Sequence, residues 1–200
     1  WGRGCLDLAV QLRGYENWVA DTAERPEFVH ALMQFLVEQR CRWWEGYEQH
    51  FGLPRGPVPI ADDWINIPFI SPAMFRDFVL PYYKQIERFH GGITSIHSCG
   101  DQTPVQKYML ELETLPQLEI SPWTQLEQTL SNVPATKRLT PFLHPNDVLM
   151  ASPSEMEARL THLVTALCGR SFTLTTSGLT PIWDDIGEFV RRAQAWVEVA

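Results

Sequence analysis

The feature that most constrains this chain is a rhythm. Six apolar runs of strand length recur at Cys5 to Gln11, Val58 to Asp62, Ile93 to His97, Gln117 to Ile120, Arg138 to Leu143 and Ser171 to Thr176, and each is followed by a segment of helical period. Such alternation implies parallel strands joined by crossover helices, either an open doubly wound sheet or a (β/α)8 barrel of the TIM type. The absence of a G-x-G-x-x-G turn after the first run weakens the dinucleotide-binding version. A count of six units and a first residue other than Met fit a single α/β barrel domain over residues 1–200 that lacks its first two βα units.

The helical segments carry apolar stripes expected to face the core. They fall at Phe28, Val29, Leu32, Phe35 and Leu36, and at Phe75, Phe78, Val79, Tyr82 and Ile86, where Pro81 is expected to bend the helix. Two later stripes run through Met156, Leu160, Leu163, Val164 and Leu167 and through Ile186, Phe189, Val190 and Ala193. Four helix starts share one signature: Ser71-Pro72, Thr103-Pro104, Ser152-Pro153 and Thr180-Pro181 each offer a capping hydroxyl before a proline at the first helical position, and Ser152 with Glu155 forms a capping box.

In both architectures chemistry gathers at the carboxyl ends of the strands. The polar and aromatic residues expected there are Gln11 and Arg13; Asp62, Asp63 and Trp64; His97, Cys99 and Asp101; Ser121 and Trp123; His144, Asn146 and Asp147; and Ser177. Residues two apart on a strand share a face, so His97 and Cys99 can grip one metal ion, with zinc the first candidate. A third ligand is open among Asp63, Asp62, Glu119 and His144. Asp62 and Asp63 face opposite ways on a strand, so one of them looks into the pocket as a group that orients substrate or moves a proton, the alternative being a cap or loop hydrogen bond. Gln11, Trp64, His144 and Asp147 are the substrate-binding candidates, although His144-Pro145-Asn146-Asp147 is also turn-forming chemistry. Trp64 and Trp123 offer a wall for a flat ligand, while Trp43-Trp44 reads as helix packing.

Composition narrows the partners. A net charge of -8 leaves no basic stripe for nucleic acid, and no apolar stretch reaches the ~20 residues of a membrane span. With no basic-apolar leader visible, the expected setting is the cytoplasm. The four widely spaced cysteines, Cys5, Cys41, Cys99 and Cys168, are expected to be thiols.

Several blocks give the chain a family likeness. Leu12-Arg13-Gly14-Tyr15-Glu16-Asn17, Ala61-Asp62-Asp63-Trp64, the segment from Ile70-Ser71-Pro72 to Pro81-Tyr82, His97-Ser98-Cys99-Gly100, His144-Pro145-Asn146-Asp147 and Ser177-Gly178-Leu179-Thr180-Pro181 together resemble the uroporphyrinogen decarboxylase superfamily. It comprises haem-pathway decarboxylases and zinc-dependent methyltransferases that work with corrinoid proteins, and the resemblance implies a (β/α)8 barrel. The His-x-Cys pair points to the methyltransferase branch, where His and Cys bind zinc with a second Cys near the end of the last strand, the position held here by Ser177. There the metal turns an incoming thiol into a thiolate that attacks a methyl group. The resemblance therefore implies a zinc cofactor, a small-molecule substrate and a corrinoid carried by a partner protein. The alternatives are decarboxylation of a porphyrinogen in tetrapyrrole synthesis and a non-catalytic member that binds a tetrapyrrole or a partner.

Overall fold

A computed structural model of the protein describes residues 2–176 and 186–199. In chain order its elements are β1 (Gly2–Arg3), α1 (Cys5–Arg13), α2 (Tyr15–Glu24), α3 (Pro26–Phe51), β2 (Val58–Ala61), α4 (Pro72–Phe78), α5 (Leu80–His90), β3 (Ile93–His97), α6 (Gln106–Met109), β4 (Gln117–Ile120), α7 (Leu126–Asn132), β5 (Arg138–Leu143), α8 (Pro145–Met150), α9 (Pro153–Ala166), β6 (Thr175–Thr176) and α10 (Ile186–Val199). All pairings between these strands are parallel. They form two sheets, β1-β2-β3 and β4-β5-β6, and β3 packs beside β4 without a ladder between them. This is the strand and helix order of a partial (β/α)8 barrel, with every strand delivering its carboxyl end to the same rim.

Four of the expected strands form at Val58, Ile93, Gln117 and Arg138, the first ending at Ala61 and so leaving Asp62 just outside it, and the last shrinks to Thr175–Thr176 with one bridge from Phe172 to Leu139. The first is a correction. Cys5 to Gln11 is not a strand but most of helix α1, and the preceding strand is Gly2–Arg3 alone. The alternation of Leu6, Leu8, Val10 and Leu12 looks like a strand, yet the buried set is Cys5, Leu6, Ala9 and Val10, which is one helical face, and Leu12 is 69% exposed. A short apolar run carries both periods, and the packing surface chooses between them.

Three helix expectations are also revised. Pro81 does not bend one helix; the chain breaks at Val79 into α4 and α5, so that the proline falls in the first turn of α5, where its missing N–H costs nothing. Thr103 is no cap: Gln102 precedes a short 3-10 turn, and the Thr103 hydroxyl instead accepts from the Gln125 amide at 2.9 Å. Ser71 and Ser152 cap as expected, Ser152 within a complete capping box, while Thr180-Pro181 lies outside the described residues. Finally, Phe28, Phe35, Val164, Ile186 and Val190 are exposed; the buried faces of α3, α9 and α10 run instead through Val29, Met33, Leu36 and Val37, through Met156 and Leu160, and through Trp196. Trp44 packs on the core while Trp43 stacks on Tyr47 at the surface.

The main core joins α1 to α6 with β2, β3, β4 and the start of β5, and a small separate core lies among α8, α9 and α10. No helix among the described residues is long and apolar enough to cross a membrane.

Candidate metal and substrate site

The site is built where β2, β3 and β4 end together. His97 closes β3 in register with Ala61, and the backbone amide of Asp62 donates to the His97 carbonyl at 2.9 Å, so the Asp62-Asp63 pair is fixed beside the imidazole. After His97 the side chains alternate: Ser98 is buried, its hydroxyl accepting from the Asn66 amide at 2.9 Å, and Cys99 is turned outward. Gly100 packs so tightly that a Cβ there would lie 2.0 Å from the Asn66 side-chain oxygen. Only glycine lets the turn carrying Cys99 sit this close to the β2 loop. Ser121 at the end of β4 then holds that turn from the other side, donating to the Gly100 carbonyl at 2.6 Å.

Within this frame one carboxylate oxygen of Asp63, one ring nitrogen of His97 and the Cys99 sulfur all lie within 4.8 Å of one another. The His97 Nε2 is 3.4 Å from Cys99 Sγ and 3.9 Å from Asp63 Oδ1. On its other side His97 Nδ1 donates to Glu119 Oε2 at 2.6 Å. That hydrogen bond, followed by the charge of Glu119, raises the His97 pKa. It also fixes the tautomer, leaving the Nε2 lone pair aimed at Cys99 and Asp63. Partial desolvation, with Asp63 adding to it, pushes the Cys99 thiol up to about 11. A cation held by the three groups reverses that logic, because it favours the thiolate.

The two adjacent aspartates separate sharply. Asp62 is fully buried beneath α1, where its Oδ2 accepts from the Leu6 amide at 3.1 Å and the Tyr83 hydroxyl at 2.7 Å. It caps α1 from outside the helix, and burial pushes its pKa up to about 7. Gly4 is obligatory beside it, since a Cβ there would lie 2.0 Å from the carboxylate. Asp63 is the one that joins the cluster.

The remaining candidates scatter. With the first strand gone, Gln11 is on the exposed face of α1, 3.4 Å from Asp7, and Arg13 pairs with Asp21. Trp64 stacks on Tyr15 with ring centres 5.0 Å apart and meets Phe69 edgewise at 4.7 Å, forming an aromatic patch beside Asp63 rather than over the cluster. His144 caps α8, its Nδ1 accepting from the Asn146 amide, and its ring packs on Trp123 in a T-shaped contact with centres 5.2 Å apart. Asp147 pairs with Arg159 of α9 at 2.5 Å. These last residues line a groove of about 830 Å³ between α7 and α9. A much smaller cavity at His97 and Cys99 shares Ser121, Pro122, Trp123 and Phe142 with that groove. Ser177 lies outside the described residues. Phe142, 5.4 Å from His97, and Arg159 escaped the sequence reading, because an inward phenylalanine and a basic residue on the polar side of a helix carry no local signal.

The profile of the uroporphyrinogen decarboxylase (URO-D) family matches residues 3–174. Among solved structures the chain is similar to a methyltransferase from Methanosarcina mazei, with a TM-score of 0.71 and 15% sequence identity. The alignment covers 98% of this chain and 56% of that one, so the protein spans just over half of its structural neighbour. No curated protein matches.

Proposed function

The chain belongs to the uroporphyrinogen decarboxylase family, and on that premise we propose that it acts as a zinc-dependent methyltransferase, moving a methyl group from a corrinoid protein or another methylated donor to a thiol. The observation that carries this reading is the convergence of Asp63, His97 and Cys99 with Glu119 behind the imidazole. These donors fit zinc. Zinc–ligand bonds of about 2.0–2.3 Å in a tetrahedron separate the ligands by roughly 3.3–3.8 Å, close to the distances between Nε2 and its two neighbours. Glu119 supplies the carboxylate that zinc-binding histidines usually have at their second nitrogen. When bound, zinc supplies Lewis acidity that keeps a thiol deprotonated at neutral pH, and three protein ligands leave room for a fourth.

The chain's own residues do the rest. Glu119 holds the proton on His97 Nδ1 and so presents Nε2. Asp63, about half exposed, offers the cluster one carboxylate oxygen and leaves the other to take the proton of an incoming S–H. Trp123 and Phe142 supply an apolar wall beside the cluster. The decarboxylase alternative draws less support: a porphyrinogen bears many carboxylates, and the described residues that line the small cavity include Glu119 and no Lys or Arg.

Zinc titration of the wild type against His97→Ala and Cys99→Ala tests the reading. We expect one zinc per chain and an affinity at least ~100-fold lower in each variant, a ligand loss exceeding the 10–100-fold typical of supporting residues. Zinc-loaded protein should also methylate 2-mercaptoethanol with methylcobalamin or methyl iodide as donor. Absence of stoichiometric zinc, or of any S-methyl product, overturns the proposal.

A further inference from the structure

The groove and the small cavity share a wall, and that wall is aromatic and acidic. Trp123 is 54% exposed on the rim, lining both spaces, and Phe142 stands behind it against His97. The charges around it are one-sided. Asp63 and Glu119 lie at the cluster and Glu127 in the groove, while Asp147 and Arg159 of the lining neutralise each other. Arg3, which acts on Asp63 from β1, is itself paired with Asp7. A cleft whose net charge has one sign concentrates the opposite sign within it, and an exposed indole face binds cations that carry little hydration.

Resting on the proposed thiol methylation, we infer that this site selects a cationic methyl donor, a quaternary ammonium or sulfonium compound, with Trp123 as the residue that recognises the charge. The chemistry closes. The thiolate sulfur uses its electron pair to form a bond to the methyl carbon, the C–N or C–S bond breaks, and its pair leaves with the nitrogen or sulfur as a neutral amine or sulfide. With a sulfonium donor the cation becomes a neutral sulfide in that step, so an acidic, aromatic pocket that holds the donor releases the product; an amine product leaves after taking up a proton from solvent. An anionic donor would instead meet Glu127 and Asp63, with no unpaired basic side chain among the described lining residues.

The test compares choline with its neutral isostere 3,3-dimethylbutan-1-ol, binding to the full chain, metal-free and zinc-loaded, followed by tryptophan fluorescence and calorimetry. Choline should bind at least ten-fold more tightly than the alcohol. Trp123→Ala should lose at least ten-fold of choline affinity at an unchanged melting temperature, and Trp123→Phe should recover most of it. Equal binding of the two compounds, unsaturable choline binding, or unaltered affinity in Trp123→Ala overturns the inference. The zinc content of the same samples separates the two claims: zinc without choline preference sinks this inference alone, whereas choline preference without zinc upholds the cation site and sinks the thiol-activation reading.

Discussion

The large core beneath β1 to β4 and the small core among α8, α9 and α10 divide the labour of the molecule. The first packs Trp18, Tyr83, Phe75, Leu6 and many aliphatic residues out of solvent around Asp62 and His90, and it is from this half that the candidate metal ligands project. Among the described residues the second buries Val148, Ala151, Met156, Leu160 and Trp196, and it borders the groove. Rigid packing is what a ligand cluster needs, since donor positions must hold to about half an ångström, whereas a substrate groove tolerates a looser wall. Glu119 links the two requirements: it belongs to β4, and its hydrogen bond to His97 crosses the seam where β3 and β4 share no ladder.

The sharpest way to break this contrast is at Asp62. Asp62→Ala leaves the Leu6 amide and Tyr83 hydroxyl without a partner in the main core, and each buried unpaired group costs about 1–3 kcal/mol, so chemical denaturation should show a loss of about 3 kcal/mol. Asp63→Ala, one residue on, should stay within about 0.5 kcal/mol of wild type and lose zinc instead. Equal stability of the two variants would erase the distinction between them.

A second test uses pH. His90, buried in the main core, is held down at about 4 by desolvation and by Arg40. Between that value and its ordinary 6.5 the unfolded chain binds the proton and the folded chain does not, so stability rises with pH across this window and is lost as pH falls from about 6.5 toward 4. The expected loss is about 2 kcal/mol by urea titration, and His90→Phe, which keeps the edge contact with Trp44, should flatten the slope. An unchanged slope in that variant would remove His90 from the account.

Crossing the seam, Glu119→Gln keeps the shape and removes the charge behind His97. Zinc affinity should fall 10–100-fold, about 1.4–2.7 kcal/mol, with little change in melting temperature. If affinity is unaltered, Glu119 contributes nothing to the cluster. The smallest effect is expected at Arg159→Ala, where the exposed pair with Asp147 is lost: less than about 1 kcal/mol of stability, read by thermal melts. A larger loss would show that the groove wall is as tightly built as the core.

Much of this was legible in the chain. His97 ends a strand that forms where the apolar run predicts it and Cys99 follows in the turn two residues on, while Asp62 and Asp63 fall just past the end of β2 rather than on it. Which aspartate looks outward was not legible, because that depends on α1 lying over β2, and α1 itself reads as a strand in the sequence. Gln11 lost its expected place for the same reason. Glu119 was one of four open third ligands until β4 came to rest against β3, where it became the partner of the imidazole.

By itself the sequence determined the alternation of parallel strands with helices, the capping at Ser71 and Ser152, and the His97-Cys99 spacing, because each depends on contacts within a few residues. Only the tertiary structure decided that Asp63 rather than Asp62 completes the cluster, that Glu119 orients His97, and that Trp123 joins the cavity to the groove. These depend on which strand ends meet across the rim, and residues 63, 97, 119 and 123 are brought together by burial of apolar side chains elsewhere in the core, which no local pattern encodes.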